Sequence, residues 1–86
     1  MNESVDIALC KNSLGVIYQS QKKYDSSAIF FESAFNYFFK NSDEHYNNAI
    51  GVMNNLYDLY VPLKKYKEVK LVFAKMLPLV ESKEGM

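Results

Sequence analysis

Leu14-Gly15-Val16-Ile17-Tyr18, followed by Lys23-Tyr24-Asp25 and then by Phe31 and Ala34, is the stretch whose spacing decides the fold. A second copy of that spacing begins at Leu56. Leu14 pairs with Leu56, Tyr18 with Tyr60, Tyr24 with Tyr66 and Phe31 with Phe73, each pair a constant 42 residues apart. Each copy reads as a helix, a short turn ending in Lys-Lys-Tyr, and a second helix. A lone helical hairpin cannot hide its apolar face, so a repeated one implies that unit stacks on unit.

The flanking residues extend the same reading. With a step of about 100° per residue, Ile7, Cys10, Leu14, Ile17 and Tyr18 fall on one stripe of a helix over residues 4–20. Ser4 or Asn2 can cap its start, and Asp6 suits its first turn. Gln21-Lys22-Lys23 is a polar break. The second helix runs from about Asp25 to Lys40, and its apolar positions, from Ala28 to Phe39, cover about half the cylinder and must meet neighbours on two sides. Asn41-Ser42-Asp43 ends it and caps the next. The third spans about Asp43 to Val61, with Tyr46, Ala49, Val52, Met53, Leu56, Leu59 and Tyr60 on its stripe, and Pro62 closes it by removing a donor. The fourth starts near Tyr66, carries another wide apolar face from Val69 to Val80, and is expected to kink or lose regularity at Pro78. Residues 82–86 read as a frayed or cut end. The expectation is an all-α chain of four helices, one domain over 1–86, with repeats at about 4–41 and 43–81.

Composition agrees. A hydrophobic content of 49% with 15% aromatic residues excludes disorder. Only 3 Gly and 2 Pro favour long helices over a turn-rich β fold. With 86 residues, the chain buries only about 60–65% of its unfolded surface, a thin margin for one core. Ten basic residues, all lysine, balance ten acidic ones, so nothing steers the chain toward nucleic acid or an anionic membrane. No signal-peptide pattern occupies residues 1–20 and no apolar run approaches a membrane span. Cys10 stands alone and cannot form an internal disulfide, which points to a reducing, cytoplasmic setting.

The repeat resembles the tetratricopeptide repeat, whose pattern is a W-x-x-L-G-x-x-Y helix followed by small, aromatic and alanine positions. The first unit supplies Leu14-Gly15, Tyr18, Ser27, Phe31 and Ala34, with Lys11 where the large aromatic usually sits. The second supplies Met53, Leu56, Tyr60, Val69 and Phe73, with Tyr57 replacing the glycine and Met76 the alanine. Those two larger side chains imply helices set slightly further apart. The usual period is about 34 residues; 42 implies longer helices. The long form, with Asn54-Asn55-Leu56 ahead of the tyrosine, is similar to the repeats of kinesin light chains and of bacterial peptide-pheromone receptors of the Rap kind. The resemblance covers about residues 7–80. It implies two stacked antiparallel hairpins of an α-solenoid, with the first helix of each unit lining a concave surface.

Opposite the core stripe, the first helix presents Val5, Leu9, Asn12, Val16 and Gln19, with Ser13 and Ser20 at the edge. The third presents Asn47, Gly51, Asn54, Asp58 and Val61, with Asn55 at the edge. Asn12 and Asn54 share a repeat position, as do Ser13 and Asn55. An amide both donates and accepts, so a ladder of asparagines can clamp the main chain of an extended peptide whatever its side chains. The resemblance implies the same use, since groove asparagines bind peptide backbone in those families. The groove lacks the lysine or arginine of a carboxylate clamp, so a neutral or mildly basic segment is expected. The same residues also read as the solvated face of an asparagine-rich chain.

Other residues suggest little chemistry. His45 has no helical-spaced partner for metal or acid–base work and reads as an exposed first-turn residue. Cys10, on the core stripe, reads as a small buried hydrophobe. Lys64, Lys65, Lys67 and Lys70 read as a solvated loop and helix start. Without a phosphate-binding loop, nucleophile elbow or matched carboxylate pair, neither catalysis nor a cofactor or metal is expected. The fourth helix is expected to be apolar on both flanks, with Val72, Met76 and Leu79 meeting a further helix from additional sequence or a second copy. The leading expectation is a non-enzymatic scaffold for a protein or peptide segment. The alternatives are a self-associating structural module and a piece of a peptide-sensing bacterial regulator.

Overall fold

The computed structural model describes residues 4–84. It contains α1 (Val5–Ser20), α2 (Tyr24–Lys40), α3 (Ser42–Tyr60) and α4 (Tyr66–Glu84), with no strand among the described residues. The fold is all-α, built from the hairpins α1–α2 and α3–α4. Ser4 caps α1 by accepting the Ile7 N–H at 3.3 Å, and Asp6 lies in the first turn, where the helix dipole favours a carboxylate. Asn2, the other cap candidate, lies outside the described residues.

The two hairpin turns close with the same pair of bonds. Lys22 and Lys64, 42 residues apart, are the positive-φ positions, at 62° and 60°. The Lys22 N–H reaches the Gln19 carbonyl at 3.0 Å and Lys23 N–H the Tyr18 carbonyl at 2.9 Å; the matching Lys64–Val61 and Lys65–Tyr60 bonds are 2.9 and 3.0 Å. This paired closure satisfies the last carbonyls of a helix around one left-handed residue. Lysine occupies a position that glycine holds more cheaply, because a Cβ crowds the following carbonyl there. The second turn begins earlier in its unit because Pro62, equivalent to Ser20, has no amide to continue α3.

Between the hairpins the chain turns on Asn41. Its side-chain Nδ2 donates to the Tyr37 carbonyl at 2.8 Å, and its own carbonyl receives the Glu44 and His45 amides. The first turn of α3 is bent at His45 (φ −125°, ψ 33°). His45 is half-buried rather than exposed, its ring lying against Phe38 and Tyr37 with centroids 5.8 and 6.2 Å away. The sharp reversal at Asn41 brings this first-turn residue back over the end of α2.

Small residues set how closely α1 and α2 approach. Ala8 and Gly15 are the buried residues of α1, and a Cβ on Gly15 would lie 2.5 Å from the Phe31 ring. Ser27, fully buried, donates its hydroxyl to the Gly15 carbonyl at 2.7 Å. Tyr18 stacks on Phe30 at 5.5 Å, and the Lys11 ammonium donates to Ser33 Oγ at 2.9 Å, so the position of the missing aromatic is spanned by an aliphatic stem with a polar end. The stripe expected to face inward is therefore rotated. Cys10, Leu14 and Ile17 are exposed, and Cys10 is not a buried hydrophobe. Size of side chain pointed to the Leu14 side, whereas close helix contact selects the face with the smallest groups.

α2 is the central element. Phe31, Ala34, Phe35 and Phe38 are buried, and α1 and α3 lie along its two sides. α3 brings Ala49, Val52, Leu56 and Leu59 into the core and also packs against α4. α4 continues through Pro78. Met76 is 1% exposed, and Val72 and Leu79 are partly buried against the core, so the expectation that these three form an open face fails. The outward large apolar residues of α4 are Tyr66, Leu71, Phe73 and Leu77. The Cα envelope of 38 × 33 × 17 Å is a slab with α1 and α4 at opposite edges.

Three outcomes are expected from this geometry, each checked by chemical denaturation. Lys22→Gly and Lys64→Gly each stabilise the fold by about 0.5–1 kcal/mol, the relief of a left-handed Cβ less the added unfolded-chain entropy. Gly15→Ala destabilises by about 1–2 kcal/mol because the fully buried Phe31 ring must shift, while Gly51→Ala, with open space around the added Cβ, stabilises by about 0.5–1 kcal/mol.

Candidate functional site

The site expected from the sequence lies where α1 and α3 run side by side. Their contact is marked by a hydrogen bond from Asn55 Nδ2 to Asn12 Oδ1 at 2.9 Å, across 43 residues of sequence. The partner of Asn12 is thus Asn55 and not the repeat-equivalent Asn54.

Around this bond, Ser13, Val16, Asn54 and Asp58 are exposed, while Asn12, Gln19 and Asn55 are half-buried. The Asn12–Asn55 bond leaves the Asn12 Nδ2 hydrogens and the Asn55 Oδ1 outside it, so the pair keeps donors and an acceptor for a main chain. Gly51 lies on the same face of α3, one turn before Asn55, and nothing stands within 4 Å of the Cβ position it lacks. A ligand backbone can approach α3 there. Asp58 is the one carboxylate among these groove residues, which leaves the face close to neutral.

Compared with known proteins, the chain matches no family model, no curated protein and no solved structure.

A second polar feature escaped the sequence reading. Tyr60, 3% exposed at the end of α3, donates its hydroxyl to the Glu32 carboxylate on α2. The two residues, with Glu68, Lys75, Phe35 and Val72, line a cavity of about 160 Å³. Burial pushes the Tyr60 phenol above its ordinary value, and the Glu32 hydrogen bond and the negative charges of Glu32 and Glu68 push it the same way. No spacing rule places Glu32 beside Tyr60, since the contact forms only when α3 docks on α2. Among the described residues, no three His, Cys, Asp or Glu side chains gather to hold a metal ion, and no helix is long and apolar enough to cross a membrane.

The sign of the tyrosine shift gives a pH prediction. A phenol whose folded pKa is raised contributes stability that is complete below its unfolded value of about 10 and is lost as pH rises above it. Wild type should lose stability more steeply above about pH 10 than Tyr60→Phe, as followed by denaturant midpoints across the alkaline range. Parallel curves would remove the claim.

Proposed function

We propose that this chain is a cytoplasmic, non-enzymatic helical-repeat scaffold of the tetratricopeptide kind, which holds a segment of a partner protein along the face shared by α1 and α3. The observation that carries the reading is the Asn12–Asn55 hydrogen bond, which sets the two first helices of the units side by side with polar groups directed outward. The turn-for-turn equivalence of the two hairpins supports the repeat on which it rests.

The chemistry of recognition follows from the residue types. Asn12, Asn54 and Asn55 supply amide donors and acceptors for a peptide main chain, and the open position at Gly51 gives that chain room. Val16 offers an apolar contact, Ser13 and Gln19 offer further polar ones, and Asp58 favours a neutral or mildly basic segment. Near-zero net charge leaves nucleic acid and anionic membranes without an electrostatic reason to bind. No cofactor is needed for this work.

Selection of peptides from a displayed library, followed by calorimetry with the selected sequences, tests the reading. Asn54 is exposed, so Asn54→Ala should leave the fold intact while weakening a selected peptide by up to about tenfold, the value of one to two hydrogen bonds. Equal affinity of the variant, or no peptide selected by wild type, would remove the groove from the account.

A further inference from the structure

The chain's two edges are complementary, and the internal α2–α3 contact says how they fit. In that contact, His45 lies on Phe38 and begins a helical stripe that continues through Ala49, Val52, Leu56 and Leu59. All four of those residues are buried. Their counterparts 42 residues earlier are Ile7, Cys10, Leu14 and Ile17. On α1 no described helix covers this apolar stripe beyond Ile7: Cys10 is exposed, and Leu14 is 37% and Ile17 49% exposed.

The receiving side is also present. On α2 it includes Phe31, Phe35 and Phe38, all buried. The counterparts on α4 are Phe73, Leu77 and Val80, and they line an open cleft of about 450 Å³ closed on its inner side by Met53 of α3. That cleft has almost no polar surface. It lies between α3 and α4 as α3 itself lies against α2 and touches α1.

We infer that α1 of a second copy of this chain seats in the α4 cleft of the first, reproducing head to tail the contact that α3 makes with α2. Three features select a second copy. The knob is the sequence equivalent of a stripe already buried inside the same molecule. The hole is the equivalent of the surface that buries it. The polar edge also continues, because the counterparts of Asn12 and Asn55 across the new junction are Asn54 of one copy and Ser13 of the next, both exposed. One internal bond is lost: Ala74 stands where Glu32 receives the Tyr60 hydroxyl, so the junction is held by apolar burial. The inference goes beyond the groove reading, since Ile17 and Leu77 lie off the α1–α3 face.

A heterologous contact of this kind leaves one α1 and one α4 open at the ends of every assembly, so growth does not stop at a dimer unless the rotation closes a ring. The test uses two variants at exposed positions, Ile17→Glu and Leu77→Glu, with circular dichroism to verify that each retains its helices. In sedimentation equilibrium up to about 1 mM, the weak-association range, wild-type average mass should rise past the dimer. Each variant alone should remain monomeric, and an equimolar mixture should form a 1:1 dimer and grow no further, because only one intact junction is then possible. Alkylation of Cys10, on the seated stripe, should slow as wild-type mass rises. A monomeric wild type over this range would mean that another occupant, such as further repeats or a foreign helix, covers the faces, and would overturn the inference. Self-association that survives either substitution would overturn it too, since that contact would not need both faces.

Discussion

The close approach of α1 to α2 at Gly15 is the constraint on which the rest of the structure depends. The Phe31 ring occupies the space that any side chain at residue 15 would need, and Ser27 donates to the Gly15 carbonyl beside it. Phe31 is fully buried, and removal of such a ring from water contributes about 1.5–3 kcal/mol. That contact fixes the rotation of α1 about its own axis. Ala8, Lys11, Gly15 and Tyr18 turn toward α2, and Leu14 and Ile17 are carried to the outside.

The turns then fix where the second helix of each unit begins. Left-handed backbone at Lys22 and Lys64 lets the same carbonyls, those of Tyr18 and Tyr60, each receive two amides, so both hairpins leave their turns on the same course. A conformation that costs lysine about 1–2 kcal/mol is held in both units because the helix-end bonds it completes would otherwise face water or go unmade. The two units still differ in how tightly they close. Tyr57 stands where Gly15 does and meets Phe73 edge-on at 5.9 Å, so α3 and α4 are spaced by an aromatic pair and α1 and α2 by a glycine.

Equivalent residues in the two units do not share one environment. Leu56 is 1% exposed while Leu14 is 37%, and Phe31 is fully buried while Phe73 is 38% exposed. Among the described residues, the inner helices α2 and α3 have neighbours on both sides, and the edge helices α1 and α4 do not. Burial here follows position in the stack more than side-chain character.

The number of helices and most of their ends were legible in the sequence, because apolar periodicity, the Ser4 cap and Pro62 act locally along the chain; the end of α4 was not, since that helix runs on through Pro78 to Glu84 where an end near residue 81 was expected. The asparagine-bearing faces of α1 and α3 were legible as well, since 3.6-residue geometry assigns a face without reference to any partner. Which apolar face each edge helix turns inward was not. Ile7, Cys10, Leu14 and Ile17 read as core although three of the four are exposed, and Met76 read as open although it is buried. The Tyr60–Glu32 bond and the perch of His45 on Phe38 were equally invisible. These features arise from contacts between helices, where the close fit of Gly15 on Phe31 outweighs the hydrophobicity of any single stripe, and only the docked tertiary structure decides which stripe finds a neighbour.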